Sequence, residues 1–163
     1  MELRRRLNPK YVFIGLYILA FLVYVIYGLQ PADAVDSYDV SGNIRIPSIG
    51  LNSDVTTIGL EHGELRTPDT IVGSYSRNPN KTLLIGHAST VFENLHDIRL
   101  GDKVGFNGEE YTVKSINLSV KEDIDMLELL SNSPKDTIVL MTCAGDTLEG
   151  GDATFRLIVT ASV

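Results

Sequence analysis

The sequence predicts an all-β domain that is either a closed barrel or a sandwich. Eight short segments along about 120 residues are rich in β-compatible residues, and turn-forming residues separate them. Helical patterns in this region are confined to residues 91–98 and 122–130. The strongest hairpin signal is Asn107-Gly108, which lies between two alternating segments. The predicted strands are residues 43–47, 54–58, 70–75, 82–87, 103–106, 111–118, 137–143 and 155–162.

Residues 11–29 form a predicted membrane anchor. These nineteen residues carry no charge, and a helix of that length is about long enough to cross a ~30 Å hydrocarbon core. Three arginines and one lysine precede them, and because basic flanks tend to stay inside, the N-terminus is expected in the cytoplasm and the rest outside. A cleaved signal peptide is the alternative, since Ala32-Asp33-Ala34 has a small-x-small form. The apolar run favours an anchor, because signal h-regions usually span about 7 to 15 residues.

The domain organisation follows from this anchor. We expect a basic cytoplasmic segment at residues 1–10, the anchor at 11–29, a polar linker at 30–41 and the β domain at 42–163. Of the 14 basic and 21 acidic residues, four basic and one acidic lie in the first ten positions, so ten basic and twenty acidic residues remain. Such an acidic domain does not favour nucleic acid or anionic lipid headgroups as partners.

Cysteine and histidine usage gives no indication of a metal site. The chain has one cysteine, so neither an intramolecular disulfide nor a zinc-spaced cysteine pair is possible. The three histidines, His62, His87 and His96, show no ligand spacing among themselves. We therefore predict neither a metal nor a cofactor.

Cys143 is the first candidate for a functional residue. It ends an apolar run that Asp136 opens and Ala144-Gly145-Asp146 closes, which predicts a buried strand with the thiol where the strand gives way to a loop. The alternative is a small core residue, because free cysteines are often simply buried. An unpaired thiol outside the cytoplasm is exposed to oxidation, however, so its presence favours a chemical role.

His87 is the best candidate for a partner of the thiol. A cysteine thiol is mostly protonated at neutral pH, so a catalytic one needs a nearby imidazole or cation. His87 follows Gly86 at the end of an apolar strand, whereas His62 and His96 lie in polar surroundings typical of exposed residues. The alternative for His87 is a hydrogen-bonded core histidine.

Arg156 is the third candidate, because it interrupts the apolar last strand. Strand alternation places Arg156 and Ile158 on one face and Leu157 and Val159 on the other. A solvated arginine on an edge strand is the ordinary explanation. Arginine also suits the polarisation of a carbonyl oxygen, because its charge is permanent and its donors are forked.

Taken in order, these three strand ends resemble the sortases, the membrane-anchored cysteine transpeptidases of bacterial surfaces. The resemblance rests on Leu-Ile-Gly-His ending at His87, on Val-Leu-Met-Thr-Cys ending at Cys143, and on Phe-Arg at Arg156, thirteen residues after the cysteine. The opening segment 42–52 is also similar, so the resemblance covers nearly all of residues 42–163. It implies an eight-stranded β-barrel, which agrees with the number of predicted strands.

The resemblance also implies a role for each residue. Cys143 would attack the threonine carbonyl of a Leu-Pro-x-Thr-Gly-like sorting signal and form a thioacyl enzyme. His87 would protonate the leaving amine and later accept a proton from the incoming amine. Arg156 would hold the substrate backbone and stabilise the oxyanion, and Thr142 would line the substrate pocket. No Asp or Asn is marked by the sequence as a partner that orients His87.

The implied partners are surface-protein sorting signals and an acceptor amine from a peptidoglycan precursor or a protein lysine. Residues 30–41 lack the Asp-Pro-aromatic lid of pilin polymerases, and residues 119–136 lack room for the long helix of haem-protein-anchoring members. The layout therefore favours either a general protein-anchoring type or a specialised type with a single anchor. Two alternatives stay open, a membrane-anchored barrel that binds peptides without catalysis and a hydrolytic cysteine peptidase.

The first testable prediction concerns calcium. Some sortases bind calcium in the loop before the histidine strand, but the corresponding residues 73–81 contain no Asp or Glu and carry Arg77 and Lys81. Because calcium needs several oxygen ligands, we expect transfer rates in chelator and in millimolar calcium to agree within about twofold. A several-fold stimulation by calcium would contradict this expectation.

Overall fold

The computed structural model describes residues 38–147 and 153–163, together with Ile18, Leu19, Phe21 and Leu22. The chain divides into two compact units, Met1–Ser37 and Tyr38–Val163. The four described residues of the first unit are helical and exposed. The rest of the predicted anchor 11–29, and the predicted cytoplasmic segment 1–10, lie outside the described residues. Among the residues that are described, no helix has the length and apolar character needed to cross a bilayer.

A closed β-barrel makes up most of the second unit, as the sequence predicts. Eight of its described strands close in the order β1-β2-β5-β6-β9-β10-β8-β7, and β3 and β4 form a separate two-stranded hairpin. The strands are β1 (Val40–Ile46), β2 (Leu51–Thr57), β3 (Leu60–Glu61), β4 (Glu64–Leu65), β5 (Val72–Asn78), β6 (Lys81–Ile85), β7 (Lys103–Phe106), β8 (Glu109–Val120), β9 (Thr137–Thr147) and β10 (Ala153–Ser162).

Two pairs of neighbouring barrel strands are parallel. β2 pairs with β5, and β6 pairs with β9, whereas the other neighbours are antiparallel. Parallel pairing needs a long crossover connection, and the connection from β6 to β9 contains both β7 and β8. As a result, the carboxyl ends of β6 and β9 lie at the same end of the barrel.

The bounds of the barrel strands differ from the prediction by up to four residues, except for Lys103–Phe106, and two of the differences bear on the candidate residues. β6 ends at Ile85 rather than at residue 87, because the chain turns where the backbone N–H groups of Thr90 and Phe92 donate to the His87 carbonyl. β9 continues past Cys143 to Thr147, because β10 keeps pairing with it. Cys143 therefore lies within β9, not at its terminus as the sequence predicts.

The predicted hairpin at Asn107-Gly108 is present between β7 and β8. Both residues have positive φ, 50° and 87°, as a type I′ turn requires. The backbone N–H of Asn107 donates to the Asn43 carbonyl over 3.1 Å, and its side-chain Oδ1 accepts from the Asn43 N–H. The turn thereby also holds the first strand of the barrel.

Helical structure in the described residues of the second unit is limited to single turns. The predicted segment 91–98 contains one 3-10 turn, Leu95–Asp97. The predicted segment 122–130 overlaps the 3-10 turn Lys121–Asp123 and contains the α-helix α1 (Met126–Leu129), and a further 3-10 turn, Pro47–Ile49, connects β1 to β2. The Asp125 side chain caps α1, because its Oδ1 accepts from the N–H groups of the second and third residues after it.

Strand alternation creates two apolar clusters on opposite faces of the barrel wall. The inner core draws buried residues from all eight barrel strands, for example Leu84 of β6, Leu140 of β9 and Val159 of β10. The neighbours of these residues point outward and form a second cluster, which we name the outer apolar cluster. Its buried members are Leu83, Ile85, Leu130, Val139 and Ile158.

The second prediction tests the close packing at Gly86. A Cβ atom there would lie 2.6 Å from Val91 Cγ1 and 2.9 Å from Phe92 Cδ2, and Phe92 is buried. We expect Gly86→Ala to lower the free energy of unfolding in urea by about 1–3 kcal/mol, as for other overpacked sites. At Gly59 a Cβ meets nothing within 4 Å, so Gly59→Ala should stay within about 0.5 kcal/mol of wild type. Equal unfolding midpoints for the two variants would contradict this packing.

Candidate active site

The barrel places Cys143 and Arg156 on the neighbouring strands β9 and β10, and His87 directly after β6, the other neighbour of β9. In the β9–β10 ladder, Cys143 lies directly opposite Arg156, and side chains of opposed residues share one face. In the parallel β6–β9 ladder the last pair is Ile85 with Met141, and the Gly86 N–H still donates to the Met141 carbonyl over 3.4 Å. His87 and Cys143 each follow that last pair by two residues along the chain, so both lie near the same end of the two paired strands.

The thiol of Cys143 is free and half-buried. Alternation along β9 puts it on the same outward face as Val139 and Met141, which both belong to the outer apolar cluster. The neighbouring Thr142 is buried on the opposite face. The thiol therefore borders the outer apolar cluster and is not part of the inner core.

His87 lies in the loop directly after β6, with its side chain 41% exposed. Its Nε2 lies 3.6 Å from Oδ1 of Asp69, in the connection between β4 and β5. The other two histidines are exposed, as the sequence predicts. His62 occupies the β3–β4 turn with φ of 53°, and the Nδ1 of His96 lies 2.9 Å from the Glu93 carbonyl oxygen.

Arg156 is half-buried in β10, which has a neighbouring strand on each side. Its Nη1 donates to the carbonyls of Ala153 and Phe155 over 2.8 and 3.0 Å. These bonds hold the guanidinium against the first residues of its own strand. The position differs from that of a solvated arginine on an open sheet edge, because the barrel is closed.

Thr142 connects the cysteine strand to the histidine segment. Its side chain is 5% exposed, and its hydroxyl donates to the Gly86 carbonyl over 2.7 Å. The bond extends the contact between β6 and β9 beyond the end of their ladder. Since this hydroxyl points toward the inner face, it does not line the outer face that carries Cys143.

The connection from β8 to β9 covers the outer apolar cluster. It contributes the buried Leu130 and the partly buried Ile124, Met126 and Leu129. The Asn78 side-chain amide donates to the Leu130 carbonyl over 2.7 Å and so ties the connection to the β5–β6 hairpin. Together the strands and this cover form an apolar surface that ends at the thiol.

Sequence reasoning missed the outer apolar cluster and Asp69. The cluster has a signal, because residues 83 and 85 alternate on one face of one strand, and residues 139, 141 and 143 on one face of another. Asp69 has no such signal, because it lies in a loop eighteen positions before His87. In the described part of the chain, no group of three or more Asp, Glu, His or Cys side chains could hold a metal ion.

This constellation combines a free thiol, an imidazole and a permanent cation at one end of an apolar surface. A thiol and an imidazole in adjacent positions can carry out nucleophilic attack and proton transfer. The guanidinium can stabilise negative charge on an oxygen atom. The chemistry that this arrangement suits is acyl transfer through a thioester.

Comparisons with known proteins agree with this chemistry. The sortase domain family matches residues 44–163. The fold is similar to sortase A from Corynebacterium diphtheriae in a lid mutant, with a TM-score of 0.61, 28% identity, and coverage of 82% of this chain and 74% of that one. It is also similar to sortase C-1 from Actinomyces oris, with a TM-score of 0.57, 25% identity, and coverage of 78% and 75%.

A third similar structure, sortase A from Listeria monocytogenes, supports the fold alone, with a TM-score of 0.59, 21% identity, and coverage of 76% and 86%. No curated protein sequence matches the chain. The family match spans well over half of the residues and includes His87, Cys143 and Arg156. The closed barrel and the sequence match together lead to one conclusion: the chain belongs to the sortase family.

Proposed function

We propose that this protein is a cysteine transpeptidase that cleaves a Leu-Pro-x-Thr-Gly-like sorting signal and transfers the new acyl group to an amine. The observation that carries the proposal is the strand pairing, which sets Cys143 opposite Arg156 and places the end of β6, two residues before His87, beside the strand that carries Cys143. A nucleophile, a proton carrier and an oxyanion-stabilising cation are the groups that acyl transfer requires.

In the first half-reaction, the Cys143 thiolate attacks the carbonyl carbon of the threonine in the signal. A carbon–sulfur bond forms, the carbon–nitrogen bond to glycine breaks, and His87 donates a proton to the departing amine. In the second half-reaction, an acceptor amine attacks the thioester and gives a proton to His87. The carbon–sulfur bond then breaks, an amide forms, and the Cys143 thiolate and the protonated His87 are regenerated.

Arg156 stabilises the oxyanion that develops on the threonine carbonyl. The hydrogen bonds of Nη1 to two backbone carbonyls reduce the freedom of the guanidinium, and a fixed donor stabilises a developing charge better than a mobile one. The location opposite Cys143 supports this role. Thr142 acts as a positioning residue, because its hydroxyl holds the Gly86 carbonyl, and the substrate contact that the resemblance implies for it stays a prediction.

The outer apolar cluster receives the leucine and proline of the signal. Its partly buried members, such as Met141 on the strand that carries Cys143, keep exposed apolar surface, and removal of such surface from water gains about 25 cal/mol for each Å². An extended peptide lying along this surface would bring its threonine carbonyl to the thiol. The acceptor amine, from a peptidoglycan precursor or a protein lysine, would reach the thioester from solvent.

We further propose that residues 11–29 anchor the protein in a bacterial membrane, with the N-terminus in the cytoplasm and the barrel outside. The charge-free run after a basic segment supports this arrangement. An extracytoplasmic barrel would meet exported surface proteins and cell-wall amines. The single unpaired cysteine agrees with an exported enzyme that uses its thiol.

The third prediction tests the nucleophile. Cys143→Ala should abolish transfer from a sorting-signal peptide to an added amine, and its stability should change by at most about 1–2 kcal/mol. Mass spectrometry of the wild-type protein after incubation with peptide should detect a thioester adduct. Turnover above background in Cys143→Ala would overturn the proposed function. Release of free acid even with excess amine would instead indicate a hydrolytic peptidase, and full activity of the variant in peptide binding alone would indicate a binding module.

The fourth prediction tests the geometry of Arg156. Arg156→Lys should lose almost as much turnover as Arg156→Ala, about 100-fold or more, because a point charge cannot reproduce forked donors. Arg45 is exposed on β1, so Arg45→Lys is the matched control and should transfer at the wild-type rate. Near-normal turnover by Arg156→Lys would contradict the assigned role.

A further inference from the structure

Asp69 lies beside the imidazole of His87, and backbone contacts hold the two segments together. The Asp69 Oδ1 is 3.6 Å from the His87 Nε2. Thr90 bridges the segments, because its hydroxyl donates to the Asp69 carbonyl over 2.8 Å and its backbone N–H donates to the His87 carbonyl over 3.2 Å. The Asp69 N–H also donates to the Tyr38 hydroxyl over 3.3 Å. The backbone of Asp69 is thus tied at both its N–H and its carbonyl.

The carboxylate of Asp69 differs from the structural carboxylates of this fold. The Asp102 Oδ2 accepts from the Ser48 hydroxyl and the Arg99 N–H, and so stabilises a turn. In the part of the chain that the structure describes, the Asp69 carboxylate accepts no hydrogen bond and makes one ion pair, with His87. Its side chain is 81% exposed, so it contributes little packing. Its effect must act chiefly through His87.

We propose that Asp69 is a positioning residue for His87 in the transfer reaction. The carboxylate attracts the Nε2 side of the imidazole, and this orientation leaves Nδ1 to exchange protons with the leaving and incoming amines. The inference rests on the proposed function, because it assumes that His87 carries protons in acyl transfer.

The chain contains a matched control pair. The Nε2 of His96 lies 3.6 Å from the Asp97 Oδ1, with the same atoms and the same separation as the His87 pair. Both side chains are 68% exposed, and neither belongs to the proposed site. Any general effect of removing a carboxylate beside a histidine should therefore appear in Asp97→Asn as well.

The test compares transfer by the whole 163-residue chain in detergent for Asp69→Ala, Asp69→Asn, Asp69→Glu and Asp97→Asn. We expect Asp69→Ala and Asp69→Asn to lower kcat by about 5- to 20-fold, less than the loss of a general acid itself, about 10²- to 10⁴-fold, because the pair is exposed. The KM for the peptide should remain within about twofold, since only proton transfer is affected. Asp69→Glu should recover most of the loss, and Asp97→Asn should match wild type.

Two further readouts separate positioning from a merely structural role. The ring ¹⁵N shifts of His87 should show the proton of the neutral imidazole on Nε2 in wild type and a changed distribution in Asp69→Ala. The ratio of wild-type to Asp69→Asn kcat should shrink in 1 M salt, where the Debye length falls to about 3 Å. Unfolding midpoints of the Asp69 variants should stay at the wild-type value.

Wild-type kcat in Asp69→Ala, an equal loss in Asp97→Asn, or unchanged His87 ring shifts would each overturn the inference. The result with Cys143→Ala shows whether a failure concerns only the positioning role of Asp69 or the proposed function as well. If Cys143→Ala is inactive while Asp69→Ala is normal, only the positioning role fails. If Cys143→Ala keeps its turnover, the proposed function fails and this inference fails with it.

Discussion

The parallel pairing of β6 with β9 is the constraint on which the site depends. Strands that run in the same direction end at the same edge of a sheet, so His87 after β6 and Cys143 in β9 come together although 56 positions separate them in the chain. Antiparallel pairing would place them at opposite ends of the barrel. The buried bond from the Thr142 hydroxyl to the Gly86 carbonyl extends this pairing into the histidine loop, where the ladder itself has ended.

The same strands serve stability on one face and chemistry on the other. In β9, residues facing inward join the core, while Val139, Met141 and Cys143 face outward. Because the side-chain period of a strand is two, a slip of one residue would move the thiol into the barrel interior and its inward neighbours outside. The register that buries the core therefore also exposes the nucleophile. Burial of the inner face strongly disfavours other registers, so one register both forms the core and places Cys143 on the outer face.

The charged groups of the site are held by backbone rather than by strong ion pairs. Arg156 is bonded to carbonyls of its own strand, and Asp69 is tied by its N–H and its carbonyl. An exposed pair such as Asp69 with His87 adds about 0–1 kcal/mol to stability at most, so its main consequence is orientation. In the proposed reaction, the orientation of the His87 ring is what this pair would supply.

The sequence by itself determined the eight barrel strands to within a few residues, the Asn107-Gly108 hairpin, and the candidates His87, Cys143 and Arg156. These features depend on alternation, turn chemistry and residue type, which act over a few neighbouring positions. Only the tertiary structure decided that β9 continues past Cys143, that Thr142 faces inward to hold Gly86, and that Asp69 meets His87. Each of these three features depends on which strand or loop is the spatial neighbour of the residues concerned. That choice follows from the closure of the whole barrel, and no local pattern in the chain encodes it.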